Sequence, residues 1–376
     1  MFVAITNTPR DYAWGGPGAI SELLGWPPSD AVEAELWLGT HAGSPSRLVN
    51  DDATLGDAVG IDLPFLLKVL SAASPLSLQA HPDRVQAGEG FLRENAAGIP
   101  IDSSIRNYRD ASAKPEILYA LSHTFDALCG FRPVRETRAV LRTLLDRDAV
   151  SAAPGPEALG LFLDRLETDT DLPEVFRWLV TRAPGVHELV ARVSSLADDS
   201  TPHLQTAREL ALEYPGDPGI VVSLLLNRVT LKRGEALYLP AGNIHAYLRG
   251  TGIELMTASD NVLRGGLTNK HVDVPELLRV LDFSPLPVPY LQPARPRSGV
   301  TIFRPGRAGF ALTVVEQSAT VPLTGVTIAL CVDGDFELCG KRGATHVQRG
   351  EAVYVSADET EVAVTGVGQI FLASAC

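Results

Sequence analysis

The sequence contains two stretches that begin alike, and this repeat constrains the fold more than any other feature. RGEALYLPAGNIHAYL begins at Arg233, and RGEAVYVSADETEVAV begins at Arg349. Both read Arg-Gly-Glu-Ala, an apolar residue, tyrosine and a second apolar residue, which is typical of a turn that leads into a strand. On this alignment His245 in the first copy matches Glu361 in the second. The repeat predicts two related β units, of which only the first keeps a possible metal ligand.

A helical block interrupts the strand-rich chain ahead of the first copy. Residues 131–219 carry apolar residues at helical spacing, and several segments have a proline near their start. A chain of 376 residues exceeds one ordinary core. We therefore expect a mainly β protein with an α-helical insertion. Its predicted domains are a catalytic domain of residues 1–130 with 220–285, a helical insertion of 131–219, and a C-terminal β domain of 286–376.

The charge balance excludes some classes of partner. The chain has 32 Lys and Arg against 45 Asp and Glu, a formal net charge of −13. Nucleic acid would require a basic face, so we expect no nucleic-acid partner, although a local group of cations can still hold a small anion. No basic segment followed by an apolar core is visible at the N-terminus, and no apolar run approaches the roughly 20 residues of a membrane span. We expect a cytoplasmic protein without a membrane partner.

The four cysteines form no CxxC pair, so we expect free thiols. Gly-rich turns are predicted at DGD and at CGKRG in the last part of the chain. Cys331 and Cys339 would then flank a hairpin around VDGDF and could face one another.

PLSLQAHPD, Pro75 to Asp83, alternates as a strand does. Ser77, Gln79 and His81 would share one face of that strand. On a solvated face this pattern would be only a polar rim. On a face that meets a cavity, Gln79 and His81 would be two ligands of one ion.

The first copy of the repeat resembles the second signature of the cupin superfamily. Gly234, Pro240, Gly242 and His245 have its spacing, and cupins are small double-sheet β-barrels that hold a metal. A plain hairpin with a core histidine is the alternative reading. Many cupins supply a His-x-His pair from their first signature, and here glutamine takes the first place. A carboxylate, which we assign to Glu116, would complete a site that suits a borderline divalent ion such as Zn²⁺.

Six motifs together resemble the type I mannose-6-phosphate isomerase family. YAWGG, ELWLGTH, SLQAHPD, KPE, YLPAGNIHAYLRGTGIELM and SDNVLRGGLTNK occur in this order over roughly residues 1–285. The resemblance implies cupin-type jelly-roll barrels, the second one C-terminal and metal-free. It also implies an aldose–ketose isomerase with one Zn²⁺ per chain, held by Gln79, His81, Glu116 and His245.

The same resemblance implies residues for catalysis. Arg264 falls on the family's catalytic arginine, and Lys114 would help it stabilise developing negative charge. The general base is Asp260 or Glu254, and the motifs do not decide between them. Asp260 could instead cap the turn at SDN, and Glu254 could be a paired strand carboxylate.

Further residues of the motifs are candidates for binding the substrate, a small sugar phosphate. They are Ser77, Tyr247, Lys68 and Lys270, although the two lysines could also be solvated surface groups. Ala113 stands where many family members have a histidine before Lys-Pro-Glu, so a proton-transfer role for that histidine does not carry over. His41, in the matched LGTH, is left without a role.

The resemblance predicts interconversion of mannose 6-phosphate and fructose 6-phosphate through a cis-enediol, in a monomer. The sequence leaves open whether such an enzyme serves GDP-mannose biosynthesis, glycans or catabolism. Alternatives are an isomerase for a different or unphosphorylated aldose and a non-catalytic sugar-binding cupin. A metal-dependent dioxygenase is a more distant one.

Overall fold

A computed structural model of the chain describes residues 1–306 and 308–376. Most strands belong to two nine-stranded sheets, and β2 and β3 form a separate pair. The strands are β1 Phe2–Thr6, β2 Gly16–Pro17, β3 Val32–Glu33, β4 Glu35–Leu38, β5 Arg47–Leu48, β6 Phe65–Ala72, β7 Leu78–Ala80, β8 Glu116–Ala120, β9 Thr124–Phe131, β10 Leu226–Lys232, β11 Ala236–Leu239, β12 His245–Thr257, β13 Leu263–Gly266, β14 Ala294–Arg297, β15 Val300–Phe303, β16 Phe310–Pro322, β17 Thr327–Gly340, β18 Gly343–Gln348, β19 Ala352–Val355 and β20 Glu361–Ala375.

The first of the two sheets, called here the site sheet, is organised around the long strand β12. Its last part, from Gly250, pairs with β6 and β8, and its first part pairs with β9 and β7. Strands β4, β11, β10 and β13 pair in turn with β6, β8, β9 and β7. Because one strand serves both groups, residues far apart in sequence meet along β12.

The second sheet, the C-terminal sheet, runs β14-β15-β16-β20-β17-β19-β1-β5, with β18 on β17. Phe2 pairs with Val355, so the first strand of the chain lies beside one of the last. The sequence had assigned residues 1–130 to one domain with 220–285, yet β1 and β5 belong to the other sheet. Nothing in the composition of β1 signals this, because strand partners at such sequence separation leave no local trace.

The helices are α1 Ala19–Leu24, α2 Leu55–Val59, α3 Arg84–Ala96, α4 Val134–Ala149, α5 Glu157–Arg165, α6 Leu172–Val180, α7 Val186–Leu196, α8 Pro202–Glu213, α9 Gly219–Val222 and α10 Val274–Val280. The predicted helical block is thus present as α4 to α9. Its buried leucines share one apolar core with Leu78 and Ala80 of β7 and Ala246 of β12. The block therefore packs directly on the strands that carry the candidate ligands. Along the described residues, no helix is long and apolar enough to cross a membrane.

The turn expected at DGD is absent, because Asp333, Gly334 and Asp335 continue β17. The register against β20 shifts between Cys331 and Asp333, and Gly334 has a φ of 79°. A Cβ on Gly334 would lie 2.0 Å from the Val367 carbonyl oxygen, so glycine here permits a bulge. The segment was misread because glycine marks bulges as well as turns. All four cysteines are free, as expected, but Cys331 and Cys339 lie along one strand and flank no hairpin.

The two copies of the repeat adopt the same local structure. Gly234 has a φ of 91° and Gly350 a φ of 86°, so both occupy the left-handed region. The Glu235 carboxylate accepts a hydrogen bond from the backbone N–H of Lys232 at 2.8 Å. The Glu351 carboxylate accepts the equivalent bond from Gln348 at 2.9 Å. A short strand follows each turn, β11 and β19, and His245 and Glu361 each begin the next strand.

Candidate functional site

A cleft of about 650 Å³ opens on the site sheet. Its walls include ten of the twelve residues singled out from the sequence, which are Lys68, Ser77, Gln79, Lys114, Glu116, Tyr247, Glu254, Asp260, Arg264 and Lys270. The other two, His81 and His245, are each 1% exposed and lie against Glu116 beneath the cleft. The structure therefore brings all twelve side chains to one place, while their individual roles stay predictions.

The register of three neighbouring strands places Gln79 beside two other candidate residues. On one side Gln79 of β7 pairs with His245 of β12, and on the other with Arg264 of β13. The Gln79 Nε2 and His245 Nε2 atoms are 3.4 Å apart. Rotation of the amide about its last bond would place the Gln79 carbonyl oxygen in that position.

Both histidines are held with Nε2 as an acceptor. The Nδ1–H of His81 donates to the backbone oxygen of Asn261 at 2.7 Å. The Nδ1–H of His245 donates to the backbone oxygen of Asn243 at 3.0 Å. Since a carbonyl oxygen only accepts, each neutral ring keeps a lone pair on Nε2. Burial, and then the nearby Lys114 ammonium, lowers the pKa of His81 to about 4, which favours the neutral ring.

Glu116 faces both of these rings. Its Oε1 lies 3.3 Å from His81 Nε2 and its Oε2 lies 3.3 Å from His245 Nε2. Lys114 Nζ is 3.2 Å from Oε1. Burial alone would raise the pKa of Glu116, but the nearby Lys114 ammonium opposes it, and the pKa is held well below the usual range. The carboxylate is therefore ionised, and its oxygen lone pairs face the Nε2 lone pairs of His81 and His245.

A cation between these acceptors would satisfy them. Within the described part of the chain, His81 Nε2 and Glu116 Oε2 are buried without a hydrogen-bond partner. Their ligand atoms and that of His245 all lie within 4.8 Å of one another. Buried polar atoms without partners are costly, so the cluster fits a metal ion better than it fits a structural role.

A second buried ionic group lies across β4, β6 and β12. Trp37, Lys68 and Glu254 are neighbours in register on these strands. Lys68 Nζ lies 2.9 Å from Glu254 Oε2, 3.6 Å from Glu35 Oε1 and 4.9 Å from the Trp37 ring centre. Burial, offset in part by Lys68, raises the pKa of Glu254. Burial would lower the pKa of Lys68, but Glu254 and Glu35 raise it strongly, so the lysine stays charged.

The other candidate base, Asp260, is held differently. Its Oδ1 is 3.3 Å from His41 Nε2, and the side chain is 44% exposed. The backbone N–H of Gly43 donates to His41 Nδ1, so the Nε2 of a neutral His41 carries the proton and faces the carboxylate. The hydrogen bond from His41 lowers the pKa of Asp260. His41, which the sequence left without a role, thus orients one candidate base.

Two cations, Arg264 and Lys270, line the outer part of the cleft. Burial and the charge of Arg109 lower the pKa of Arg264, and burial, then Arg264 and Arg109, lower that of Lys270. Concentrated positive charge in an acidic protein suits an anionic ligand group.

Sequence reasoning missed several residues of the cleft wall, which include Tyr12, Trp14, Glu35, Trp37, Glu213, Tyr214 and Asn269. Glu35 and Trp37 lie in the quoted ELWLGTH, and their i, i+2 spacing on one strand was an available signal. Glu213 and Tyr214 come from the end of the helical block, where the sequence predicted only that a helix stops.

Comparison with known proteins identifies the family of the chain. Residues 2–134 match the family model for the catalytic domain of phosphomannose isomerase type I. Mannose-6-phosphate isomerase of Escherichia coli K12 is 36% identical, with 97% of each chain covered. The Salmonella typhimurium enzyme is 35% identical over the same shares. A crystal structure of mannose 6-phosphate isomerase bound with zinc and yttrium superposes with a TM-score of 0.87 at 33% identity, covering 100% of this chain and 99% of that one.

These relatives are similar along nearly the whole chain, which includes both sheets and the helical block. Identity of this degree over this length, together with a shared fold, establishes descent from a common enzyme. The chain belongs to the type I mannose-6-phosphate isomerase family.

Proposed function

We propose that the protein is a zinc-dependent isomerase that interconverts mannose 6-phosphate and fructose 6-phosphate. The observation that carries the proposal is the buried His81, Glu116 and His245 cluster, with the half-buried Gln79 next to His245, beside the Lys68–Glu254 pair. The first group supplies metal ligands, and the second supplies a carboxylate and a cation at the same cleft. Named relatives at 35–36% identity act on mannose 6-phosphate, which supports this substrate.

The donor set fits zinc. Tetrahedral zinc with bonds of about 2.0–2.1 Å to nitrogen or oxygen places its ligand atoms about 3.3 Å apart. The three contacts within the cluster are 3.3, 3.3 and 3.4 Å. The backbone bonds at both Nδ1 atoms are the supporting contacts that zinc histidines usually have. We propose one zinc ion per chain, held by these four side chains, which when bound would polarise the sugar carbonyl.

The residues of the chain then divide the proton transfer between them. A carboxylate takes the proton from C2 of the open-chain aldose, the cis-enediol forms, and the proton is returned at C1 while the hydroxyl proton moves from O2 to O1. Glu254 is the better base, because burial raises its pKa towards the working range, whereas the pKa of Asp260 is lowered by His41. Lys114 and Arg264 stabilise negative charge on the sugar oxygens.

Binding of the substrate follows from the rest of the cleft. Lys270 and Arg264 hold the phosphate, which is a dianion that an exposed lysine and a half-buried arginine can reach together. Lys68 keeps Glu254 in place, and Ser77 offers a hydroxyl. Burial, and then Glu254, raises the pKa of Tyr247 well above its ordinary value, so its hydroxyl stays a donor.

We also propose that both sheets are cupin-type jelly rolls, with metal only in the site sheet. The domain division predicted from the sequence stands as a proposal, with β1 and β5 assigned to the C-terminal sheet. The protein would act as a monomer, because the cluster and the cleft walls come from one chain.

A coupled assay that follows fructose 6-phosphate formed from mannose 6-phosphate tests the proposal. We expect turnover that is lost on treatment with a chelator and restored by added zinc. Full activity after the metal has been removed would contradict zinc dependence. Equal turnover of mannose and mannose 6-phosphate would favour the unphosphorylated alternative. Metal binding with no turnover of any aldose would favour the non-catalytic one.

A further inference from the structure

The end of the helical block reaches the cleft. Residues 213–219, called here the block end, join α8 to α9. Glu213 and Tyr214 of this segment line the cleft opposite the site sheet. The insertion is therefore more than an appended domain, since part of it forms a wall of the cleft.

Asp217 connects the block end to the segment that follows Arg264. Asp217 is 9% exposed, and its Oδ1 accepts the backbone N–H of Gly219 at 2.7 Å and that of Leu267 at 3.0 Å. Arg182 lies 3.6 Å from Oδ2. One carboxylate oxygen thus ties the start of α9 to the segment that follows β13, although the two are far apart in sequence.

The peptide that Asp217 holds has an unusual backbone. Leu267 has a φ of 54°, in the left-handed region that is unfavourable for a residue with a Cβ. Its side chain is 1% exposed and packs over Gly219. A Cβ on Gly219 would lie 2.7 Å from Leu267 Cδ2. The block end therefore stabilises the strained residue twice, through a hydrogen bond to its N–H and through the space left by a glycine.

This residue begins the outer wall of the cleft. Leu267, Thr268, Asn269 and Lys270 line it consecutively, and Arg264 lies three residues earlier. β13 ends at Gly266, with a register shift just after Arg264, so strand pairing does not fix the four residues beyond it. The hydrogen bond from Leu267 to Asp217 fixes the start of this segment, and through it the position of Lys270 relative to Arg264.

We propose that Asp217 is a positioning residue for the anionic group of the substrate. It fixes the Leu267–Lys270 segment so that Lys270 and Arg264 face the same ligand group, while the metal cluster is left untouched. This inference rests on the proposed function for the identity of the sugar phosphate, but the anion site itself does not depend on turnover.

A second contact has the same effect on the facing wall. The Tyr214 hydroxyl donates to the backbone oxygen of Pro75 at 2.7 Å. Pro75 precedes Leu76 and Ser77, which line the cleft. The block end therefore contacts both the segment that precedes Ser77 and the Leu267–Lys270 segment, and the helical insertion acts as a clamp on these two parts of the cleft wall.

Two variants test the clamp. Asp217→Ala removes the acceptor of the Leu267 N–H, and Gly219→Ala adds a Cβ that would lie 2.7 Å from Leu267 Cδ2 and 2.8 Å from Asp217 Oδ1, so it disturbs the same contact while the carboxylate is kept. For both we expect the KM for mannose 6-phosphate to rise about tenfold, with kcat within about threefold of the starting protein. Asp217→Asn keeps a carbonyl oxygen in the same place and should restore most of the affinity.

The matched control is Asp148→Ala. Asp148 is a buried aspartate of the same helical block that accepts from Gly155 and pairs with Arg192, and it lines no part of the cleft. We expect it to lower the melting temperature without changing KM. A KM shift in this variant that matches the shift in Asp217→Ala would overturn the proposal, because general loosening of the block would then explain both.

Direct binding separates this proposal from the isomerase activity. The dissociation constants of mannose 6-phosphate and of inorganic phosphate, measured calorimetrically on the zinc-loaded protein, should both rise in Asp217→Ala and Gly219→Ala, with unchanged zinc content. If the parent protein binds phosphate but turns over no sugar, the isomerase proposal fails while the clamp stands. Unchanged phosphate binding in both variants, or loss of zinc from them, would refute the clamp.

Discussion

The two sheets of this molecule share a turn and differ in what they bury. The Arg-Gly-Glu turn has the same glycine conformation and the same glutamate-to-backbone bond at Glu235 and at Glu351. Beyond that turn, the site sheet buries His245, whereas the C-terminal sheet begins its next strand with the exposed Glu361. One local structure therefore serves two sheets, and at a single position after it the site sheet has a candidate ligand, His245, where the C-terminal sheet has Glu361.

The interiors differ in the same way. The site sheet buries the charged side chains Glu35, Lys68, Lys114, Glu116 and Glu254. The cluster inside the C-terminal sheet consists of valine, leucine, isoleucine, alanine, phenylalanine and one cysteine. Burying a charged group costs free energy that only a paired partner offsets. The site sheet therefore gives up folding stability for its buried charges, and the C-terminal sheet does not.

The largest expected effect comes from the position that separates the two copies. His245→Ala removes a proposed metal ligand, so isomerase activity should fall to below about one hundredth and bound zinc should be lost. Glu361→Ala, at the equivalent position of the second copy, should change neither. Metal content and the coupled assay give both results. Zinc retained in full by His245→Ala would mean that the two sheets do not differ as described.

Removal of one buried charge should be next in size. Lys68→Met leaves the buried carboxylates Glu254 and Glu35 without their cation, and we expect a loss of about 3–5 kcal/mol in the free energy of unfolding. Thr313→Val, a buried polar position of the C-terminal sheet, should change it by less than about 1 kcal/mol. Urea unfolding measures both.

The deficit in Lys68→Met should shrink as the pH falls. Without the ammonium, the folded-state pKa of Glu254 lies further above its unfolded value, so the folded state binds more protons. The contribution of Glu254 to the free energy of unfolding is then favourable at low pH, and it is lost as the pH rises through the folded-state pKa of Glu254. A deficit that does not change with pH would speak against Glu254 as the carboxylate left uncompensated.

The pH dependence of turnover distinguishes the two candidate bases. Burial raises the pKa of Glu254 above its ordinary 4.5, whereas the hydrogen bond from His41 lowers the pKa of Asp260 from 3.8. If Glu254 takes the proton, kcat should fall roughly tenfold per pH unit on the acid side, with a midpoint above 4.5. Asp260→Asn should keep this limb. A kcat that stays constant down to pH 4.5 would exclude Glu254.

The smallest expected effect tests what the sheets share. Glu235→Ala and Glu351→Ala each remove one carboxylate-to-backbone hydrogen bond from an equivalent turn, so each should cost about 1 kcal/mol of stability. Thermal unfolding of the two variants measures this. Clearly unequal losses would show that the two turns are only superficially alike.

The sequence predicted the site better than it predicted the fold. Ligand candidates stand out because Gln79 and His81 share one face of an alternating strand and His245 has the spacing of a cupin signature, and the motif order then identified the family. The structure also agrees with this set of candidates, since all twelve proposed side chains meet at one cleft. Glu35 and Trp37 were missed although their strand was quoted. The burial of Glu35 can be predicted only when its partner Lys68 is known.

The errors concern long-range pairing and glycine. β1 was assigned with the site sheet, but its partner is β19, and no local pattern encodes such a pairing. DGD was read as a turn because glycine at positive φ suits turns and bulges equally, and only the neighbouring strand decides between them. The contact of Asp217 with Leu267 was invisible for the same reason, since it joins residues brought together by the fold.

The pairing of β1 with β19 has a consequence for biosynthesis. A ribosome makes Phe2–Thr6 long before it supplies Ala352–Val355, because the two strands are far apart in the sequence. Until then, one edge of β1 has no backbone partner, and unpaired edges are where nascent chains associate wrongly. A fragment that ends before β19 would keep every candidate metal ligand and still expose that edge. Truncation from the C-terminal side is therefore expected to yield aggregation before it yields an isolated zinc-binding unit.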